Sequence, residues 1–263
     1  MQGKFQRLWK TKNKNDEWWS SFVTSPIAIA INLVVVDWPF LTPNRITVLS
    51  FVTGLMAGVL ILLGEPVHFI IAAFLINLSH VLDCMDGQMA KYRGTSSRFG
   101  NYFDKVTDQI KIFVWFAATS VASFNQTHSV TPVLLGFTGV CFYYLRVYVK
   151  YVTIFIEIEH DKNYLENSSA ESVIVLKEEE QAGPGAGFVK NLLWFVREQR
   201  KLFLFNEAVF VFMISLALIL NQLLPMLWIF ALSQLYYGTL RAWQRGRQIY
   251  LNQHSELLKP MEK

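Results

Sequence analysis

ITVLSFVTGLMAGVLILL, Ile46 to Leu63, runs for 18 residues without a charged side chain. A helix needs about 20 largely apolar residues to cross the hydrocarbon of a bilayer. Pro66 to Leu82 is nearly as long. Four further apolar stretches, Ile112–Ser123, Thr131–Leu145, Phe203–Leu220 and Pro225–Leu240, reach spanning length once their flanking helical turns are added. Soluble helices usually keep a polar face, so a chain that is 52% hydrophobic and built this way reads as membrane-embedded. The expected fold is an all-α integral membrane protein with six transmembrane helices preceded by an amphipathic interfacial helix.

The charges support that count. The net charge is only +4, but the basic residues cluster. Lys4, Arg7, Lys10, Lys12 and Lys14 open the chain; Lys91, Arg93 and Arg98 separate the second and third runs. Lys177, Lys190, Arg197, Arg200 and Lys201 lie between the fourth and fifth, and Arg241, Arg245 and Arg247 follow the sixth. The remaining connections, Gly64–Glu65, Asn125–Ser129 and Asn221–Leu224, hold no Lys or Arg. By the positive-inside rule both termini are cytoplasmic and the crossings are even in number. This explains the basic residues without a nucleic-acid partner. The membrane is either a bacterial inner membrane or an internal one such as the endoplasmic reticulum.

Residues 1–41 read as a cytoplasmic start with an interfacial helix: DEWWSSFVTSPIAIAINLVVVDW, Asp16 to Trp38, is broken by Pro26 and flanked by tryptophans. A membrane domain spans 42–251, and 252–263 is a cytoplasmic tail. Within the domain, about 157–201 is a cytosolic insertion whose LKEEEQAGPGAGF, Leu176 to Phe188, suits a mobile loop. FVKNLLWFVREQRKLF, which starts at Phe188, suits a short amphipathic helix on the membrane surface. The two cysteines, Cys84 and Cys141, give no disulfide framework or thiolate metal site.

LDCMDGQMAKYRGTSSRFGNYFDKVTDQI, Leu82 to Ile110, carries the chemistry. Asp83 and Asp86 close the second membrane run, and Asp104 and Asp108 open the third. Spacings of three and four put each pair on one helix face. The short KYRGTSSR connection makes the two helices antiparallel neighbours, so all four carboxylates converge near the cytoplasmic surface. An Asp inside the membrane costs about 2.5–3.5 kcal/mol on insertion scales, and four together also repel. Bound cations relieve both penalties. An all-oxygen ligand set suits Mg²⁺ or Mn²⁺ rather than zinc, and two such ions would clamp phosphate oxygens. Gly87, Ala90 and Gly100 leave room beside the carboxylates, and Lys91 and Arg93 supply cations for a diphosphate. Together they read as a site for a nucleotide diphosphate held by metal.

The full spacing, D-x-x-D-G-x-x-A-K-(eight residues)-G-x-x-x-D-x-x-x-D, resembles the signature of the CDP-alcohol phosphotransferase family. Lys91 stands where that signature has Arg. TPNRIT, Thr42 to Thr47, is similar to the family's P-N-x-x-T. The resemblance implies that Asp83, Asp86 and Asp104 hold two metal ions. Asp108 would touch a metal and act as general base on the acceptor hydroxyl. Asn44, Thr47, Gly87, Ala90, Lys91, Ser97 and Gly100 would line the CDP site. It also implies a homodimer whose site opens to the cytoplasm and sideways to lipid. His80 reads as either a neighbour of the metal site or a packed polar residue, and Cys84 as packing. Glu207, Arg146 and Lys150 either shape an acceptor pocket or reach for the surface.

The reaction expected is attack of an alcohol on a CDP-linked donor, most readily CDP-diacylglycerol, with release of CMP. The alternative direction joins a CDP-headgroup to diacylglycerol. Members with phosphorylated acceptors commonly carry an arginine where this chain has Ser50, which leaves serine, an unphosphorylated polyol or another headgroup open. Two other classes fit less well. Intramembrane prenyltransferases place their aspartates in two distant motifs, and a divalent-cation transporter would avoid Lys91, Arg93 and Arg98 beside its pathway.

Overall fold

A computed structural model describes residues 3–12, 17–160, 164, 166 and 187–258. Helix is the only regular structure among them. Two short pieces open the chain: α1 (Lys4–Trp9), then a π-helical stretch Ser20–Thr24 that runs into α2 (Ser25–Val35). The apolar runs follow as α3 (Pro43–Leu63), α4 (Pro66–Arg93), α5 (Arg98–Thr127) and α6 (Thr131–His160). After the undescribed residues come α7 (Phe188–Glu198), a 3₁₀ segment Gln199–Leu204, α8 (Glu207–Ile219) and α9 (Leu223–Leu258).

The helix ends follow local chemistry. Pro43 and Pro66 occupy first-turn positions, where a missing N–H costs nothing. The Thr42 side chain caps α3, and Ser97 Oγ accepts from the Gly100 N–H at 2.9 Å to start α5. Gly94 stops α4 in the left-handed region, at φ 66°.

Four helices are long and apolar enough to cross a membrane: α3, α4, α6 and the Leu223–Gln253 part of α9. The expected third and fifth crossings do not meet that standard. In α5 the charges of Asp104, Lys105, Asp108 and Lys111 occupy the first half, and α8 is only 13 residues long. On α3, Val48, Leu49, Val52, Met56 and Val59 stay exposed in a row, a surface that water would not tolerate and lipid would. The protein is membrane-embedded on these grounds.

The connection between α4 and α5 does not make them antiparallel neighbours as expected. α3 packs along both, while α4 and α5 scarcely touch each other. α4 instead takes α8 and α2 as neighbours, and α9 lies along α6. α5 is tied to α3 instead: Lys111 Nζ donates to Ser50 Oγ at 3.1 Å, and Trp115 Nε1 donates to the Gly54 carbonyl at 2.7 Å. The gap left between α4 and α5 is the site. Beneath it lies an aromatic core in which Phe116 and Phe230 stack with centroids 3.7 Å apart, beside Trp115, Phe205 and Phe210.

Residues 18–35 turn a buried side toward α4. Ala28, Ile29 and Asn32 are covered, whereas Ile27 and Val34 are exposed. Asn32 Nδ2 donates to the Met85 carbonyl at 3.0 Å, and Trp19 Nε1 to Asn77 Oδ1 at 3.1 Å. The acidic Gly/Pro stretch at 176–186 lies outside the described residues. After it, α7 shows the amphipathic pattern expected, with Phe188, Val189, Leu192, Leu193 and Val196 exposed.

Candidate active site

Asp83 and Asp86 sit in the last turns of α4, Asp104 and Asp108 in the first turns of α5, and Glu207 opens α8. Their oxygens form two triads that share Asp83. In one, Asp83, Asp86 and Asp104 offer atoms all within 4.8 Å of one another; in the other, Asp83, Asp108 and Glu207 do the same. Either triad could hold a metal ion. The donors are all carboxylate oxygen, the set that hard divalent cations prefer.

The surroundings orient these groups. Thr47 Oγ1 donates to Asp86 Oδ2 at 2.5 Å. Lys105 Nζ lies 3.0 Å from Asp104 Oδ2 and 3.7 Å from Asp108 Oδ2. Lys111 Nζ lies 3.2 Å from Asp83 Oδ1 and 3.0 Å from Asp108 Oδ1. The contact to Asp108 is an ion pair whose angle is not that of a hydrogen bond. Two lysines therefore face five carboxylates, and the remaining negative charge favours a divalent ion.

A cleft of about 170 Å³ opens over the first triad. α4 lines it with His80, Asp83, Cys84, Asp86, Gly87, Gln88 and Lys91; α5 adds Asp104 and Lys105, and α8 adds Glu207. The fourth wall is the start of the chain, with Thr11, Glu17, Ser20 and Ser25. At Gly87 a Cβ would meet nothing within 4 Å, so the wall there stays open to a ligand.

The other expected residues are placed differently. Asn44 and Gly100 adjoin: a Cβ on Gly100 would lie 3.1 Å from Asn44 Oδ1, and Ser97 caps the same turn. Asn44, Ala90, Ser97 and Gly100 do not line the cleft, and Asp108 lies behind it, 4% exposed. Arg93 does not face a diphosphate; its guanidinium donates to the carbonyls of Val36, Trp38 and Leu41 at 2.7–2.9 Å. Arg146 donates to the Leu204 carbonyl and lies 5.2 Å from the Tyr143 ring centroid, and Lys150 lies over Tyr151. Of the three acceptor-pocket candidates, only Glu207 borders the cleft. Cys84 was expected to pack away from the site, yet it lines the cleft with its thiol 3.7 Å from the Ser20 and Thr24 hydroxyls.

Lys105, Lys111 and the N-terminal wall were missed. Lys111 was legible: it follows Asp108 by three residues, the spacing that shares a helix face.

The sequence model of CDP-alcohol phosphatidyltransferases matches residues 40–179, more than half of the chain and all four motif aspartates. The chain belongs to the CDP-alcohol phosphatidyltransferase family. This is a family of enzymes that is generally metal-dependent. Among similar curated proteins is the bifunctional IPC transferase and DIPP synthase of Thermococcus kodakarensis, 30% identical over 98 residues, or 37% of this chain and 22% of that one. The phosphatidylinositol phosphate synthase of Corynebacterium glutamicum is 38% identical over 77 residues, 29% of this chain and 34% of its own. The CDP-diacylglycerol–serine O-phosphatidyltransferase of Helicobacter pylori is 35% identical over 71 residues, 27% and 29% respectively. The chain thus spans about a third or less of each of these relatives. The cleft's fourth wall, made by Thr11, Glu17, Ser20 and Ser25, precedes the family match.

Proposed function

We propose that the chain is a Mg²⁺- or Mn²⁺-dependent transferase of phospholipid synthesis. It moves a substituted phosphate from a CDP-linked donor, CDP-diacylglycerol, to an alcohol hydroxyl and releases CMP. The observation that carries this reading is the Asp83–Asp86–Asp104 triad at the mouth of a cleft that also presents Gly87 and Lys91. A divalent ion held by that triad would draw charge from the diphosphate and stabilise departing CMP.

The chain's own groups do the rest. Thr47 fixes the Asp86 carboxylate. Lys91 borders the cleft one turn beyond Gly87, with its Nζ donating to the Thr11 carbonyl at 3.4 Å, and from there its ammonium would meet the donor diphosphate. The acceptor oxygen attacks the β-phosphorus, the bond from that phosphorus to the CMP oxygen breaks, and Asp108 takes the hydroxyl proton. Asn44, Ser97 and Gly100 shape the α5 entry turn behind the nucleotide, and Ala90 supports the α4 end.

Ser50 supports an unphosphorylated acceptor. It is fully buried, bonded to Ser79 and Lys111, and presents no cation to a phosphate in the cleft. The Helicobacter pylori relative, named for CDP-diacylglycerol and serine, supports the donor and this acceptor class.

In the membrane, α3 to α6, α8 and α9 make six crossings, with α2 and α7 at the surface and both termini and the cleft cytoplasmic. The protein works as a homodimer, as its family resemblance implies. Purified protein incubated with CDP-diacylglycerol and a panel of unphosphorylated alcohols should release CMP only when Mg²⁺ or Mn²⁺ is present. Release that persists in excess chelator, or no release with any alcohol, would overturn the reading.

A further inference from the structure

Lys111 has no task in the reaction just described, yet it occupies a site built around it. The residue is 4% exposed. Its ammonium contacts Asp83 Oδ1 and Asp108 Oδ1 and donates to Ser50 Oγ at 3.1 Å. The stem passes α3 at Gly54, where a Cβ would lie 2.9 Å from Lys111 Cδ and 3.0 Å from Cγ. α3 therefore has to lack a side chain for the lysine to enter. Ser50 and Ser79 lock the far wall by donating to each other's backbone carbonyls, both at 2.8 Å. A buried charge is tolerated when it is paired and hydrogen-bonded, and this one has two carboxylates and a hydroxyl.

The position of that ammonium matters because the two carboxylate triads share Asp83. The Asp83–Asp86–Asp104 triad faces the cleft. In the Asp83–Asp108–Glu207 triad, Lys111 already holds two of the three members. An ammonium and a divalent ion drawn to the same carboxylates would repel strongly in a dry interior. The lysine stem lies against α3 at Gly54, which holds the ammonium at Ser50 and the two carboxylates.

We infer that Lys111 fills the place of a second metal ion, so that the site binds one divalent ion, at Asp83, Asp86 and Asp104. Lys111 is then a positioning residue: it fixes the base, Asp108, from the side away from the cleft. The inference rests on the metal-dependent reading and sets one ion where the family resemblance implies two.

Mn²⁺ titration of the purified full chain, with free Mn²⁺ followed by electron paramagnetic resonance, counts ions without reference to turnover. Wild type should bind one equivalent tightly, and Lys111→Arg should also bind one. Lys111→Met, which keeps the stem and removes the charge, should bind two. Two equivalents in wild type would overturn the inference, and this arm needs no variant to fold. One equivalent in both wild type and a folded Lys111→Met would overturn it too. No tight Mn²⁺ binding by wild type would instead sink the metal-dependent reading beneath it.

Discussion

Thr47→Val removes one hydroxyl from the site and almost nothing else. The Thr47 side chain is 4% exposed, and its Oγ1 donates to Asp86 Oδ2 at 2.5 Å while approaching the Pro43 carbonyl at 3.2 Å. Valine keeps the branched shape, so packing between α3 and α4 should survive. What is lost is a hydrogen bond to a charged group, worth about 1.5–3 kcal/mol. If Asp86 is a metal ligand, most of that loss falls on the ion, because the carboxylate is no longer held toward the cleft. Loss of such a supporting contact typically weakens metal binding by about 10–100-fold. The Mg²⁺ concentration for half-maximal CMP release should therefore rise by one to two decades, while the rate at saturating Mg²⁺ stays near wild type. Thr47→Ser should restore the metal dependence. An unchanged Mg²⁺ requirement in a folded Thr47→Val protein would refute the assignment of Asp86 as a ligand oriented by α3.

Asp108→Asn keeps the size of the residue but cannot take the acceptor's proton, so turnover should fall by about 10²–10⁴ with donor binding retained in a calorimetric titration. Near-normal turnover would move the base elsewhere, with His80 next to be tested. Lys91→Ala should weaken donor binding by roughly tenfold or more, the scale of one charge-assisted contact, and Lys91→Arg should be tolerated; equal donor affinity in all three proteins would remove Lys91 from the nucleotide site. Arg93→Ala should act on the fold instead. It frees three carbonyls in the 36–41 turn and should cost roughly 2–3 kcal/mol, discounted for partial exposure, read as a lower unfolding temperature with unchanged donor affinity.

The apolar runs were legible because a helix that meets lipid needs no polar face, and their charge-free lengths are visible in the sequence. Five lie wholly within helices, and of Phe203–Leu220 the α-helix covers Glu207–Ile219. Their neighbours were less legible. The short α4–α5 connection promised a tight hairpin, but Trp115 and Lys111 bind α3 at Gly54 and Ser50, and that pairing decides where α5 lies. Spacing alone put each aspartate pair on one helix face, but it did not foretell that Asp104 would border the cleft while Asp108 joins Glu207 behind it. Glu207 could be noticed as a charge beside an apolar run, but only the packing of α8 on α4 brings it to Asp83 and Asp108. The start of the chain was the least readable part. Its tryptophans and serines have the composition of a membrane-surface helix, while Trp19, Ser20, Ser25 and Asn32 make specific contacts with α4. Periodicity reports a covered face but not what covers it.

Asp83 belongs to both carboxylate triads and touches Lys111, so metal binding and turnover both depend on it. The direct test is Asp83→Ala, assayed for Mn²⁺ binding and for Mg²⁺-dependent CMP release from CDP-diacylglycerol on the same folded preparation. Both should be lost together. Wild-type turnover at saturating Mg²⁺ would contradict this.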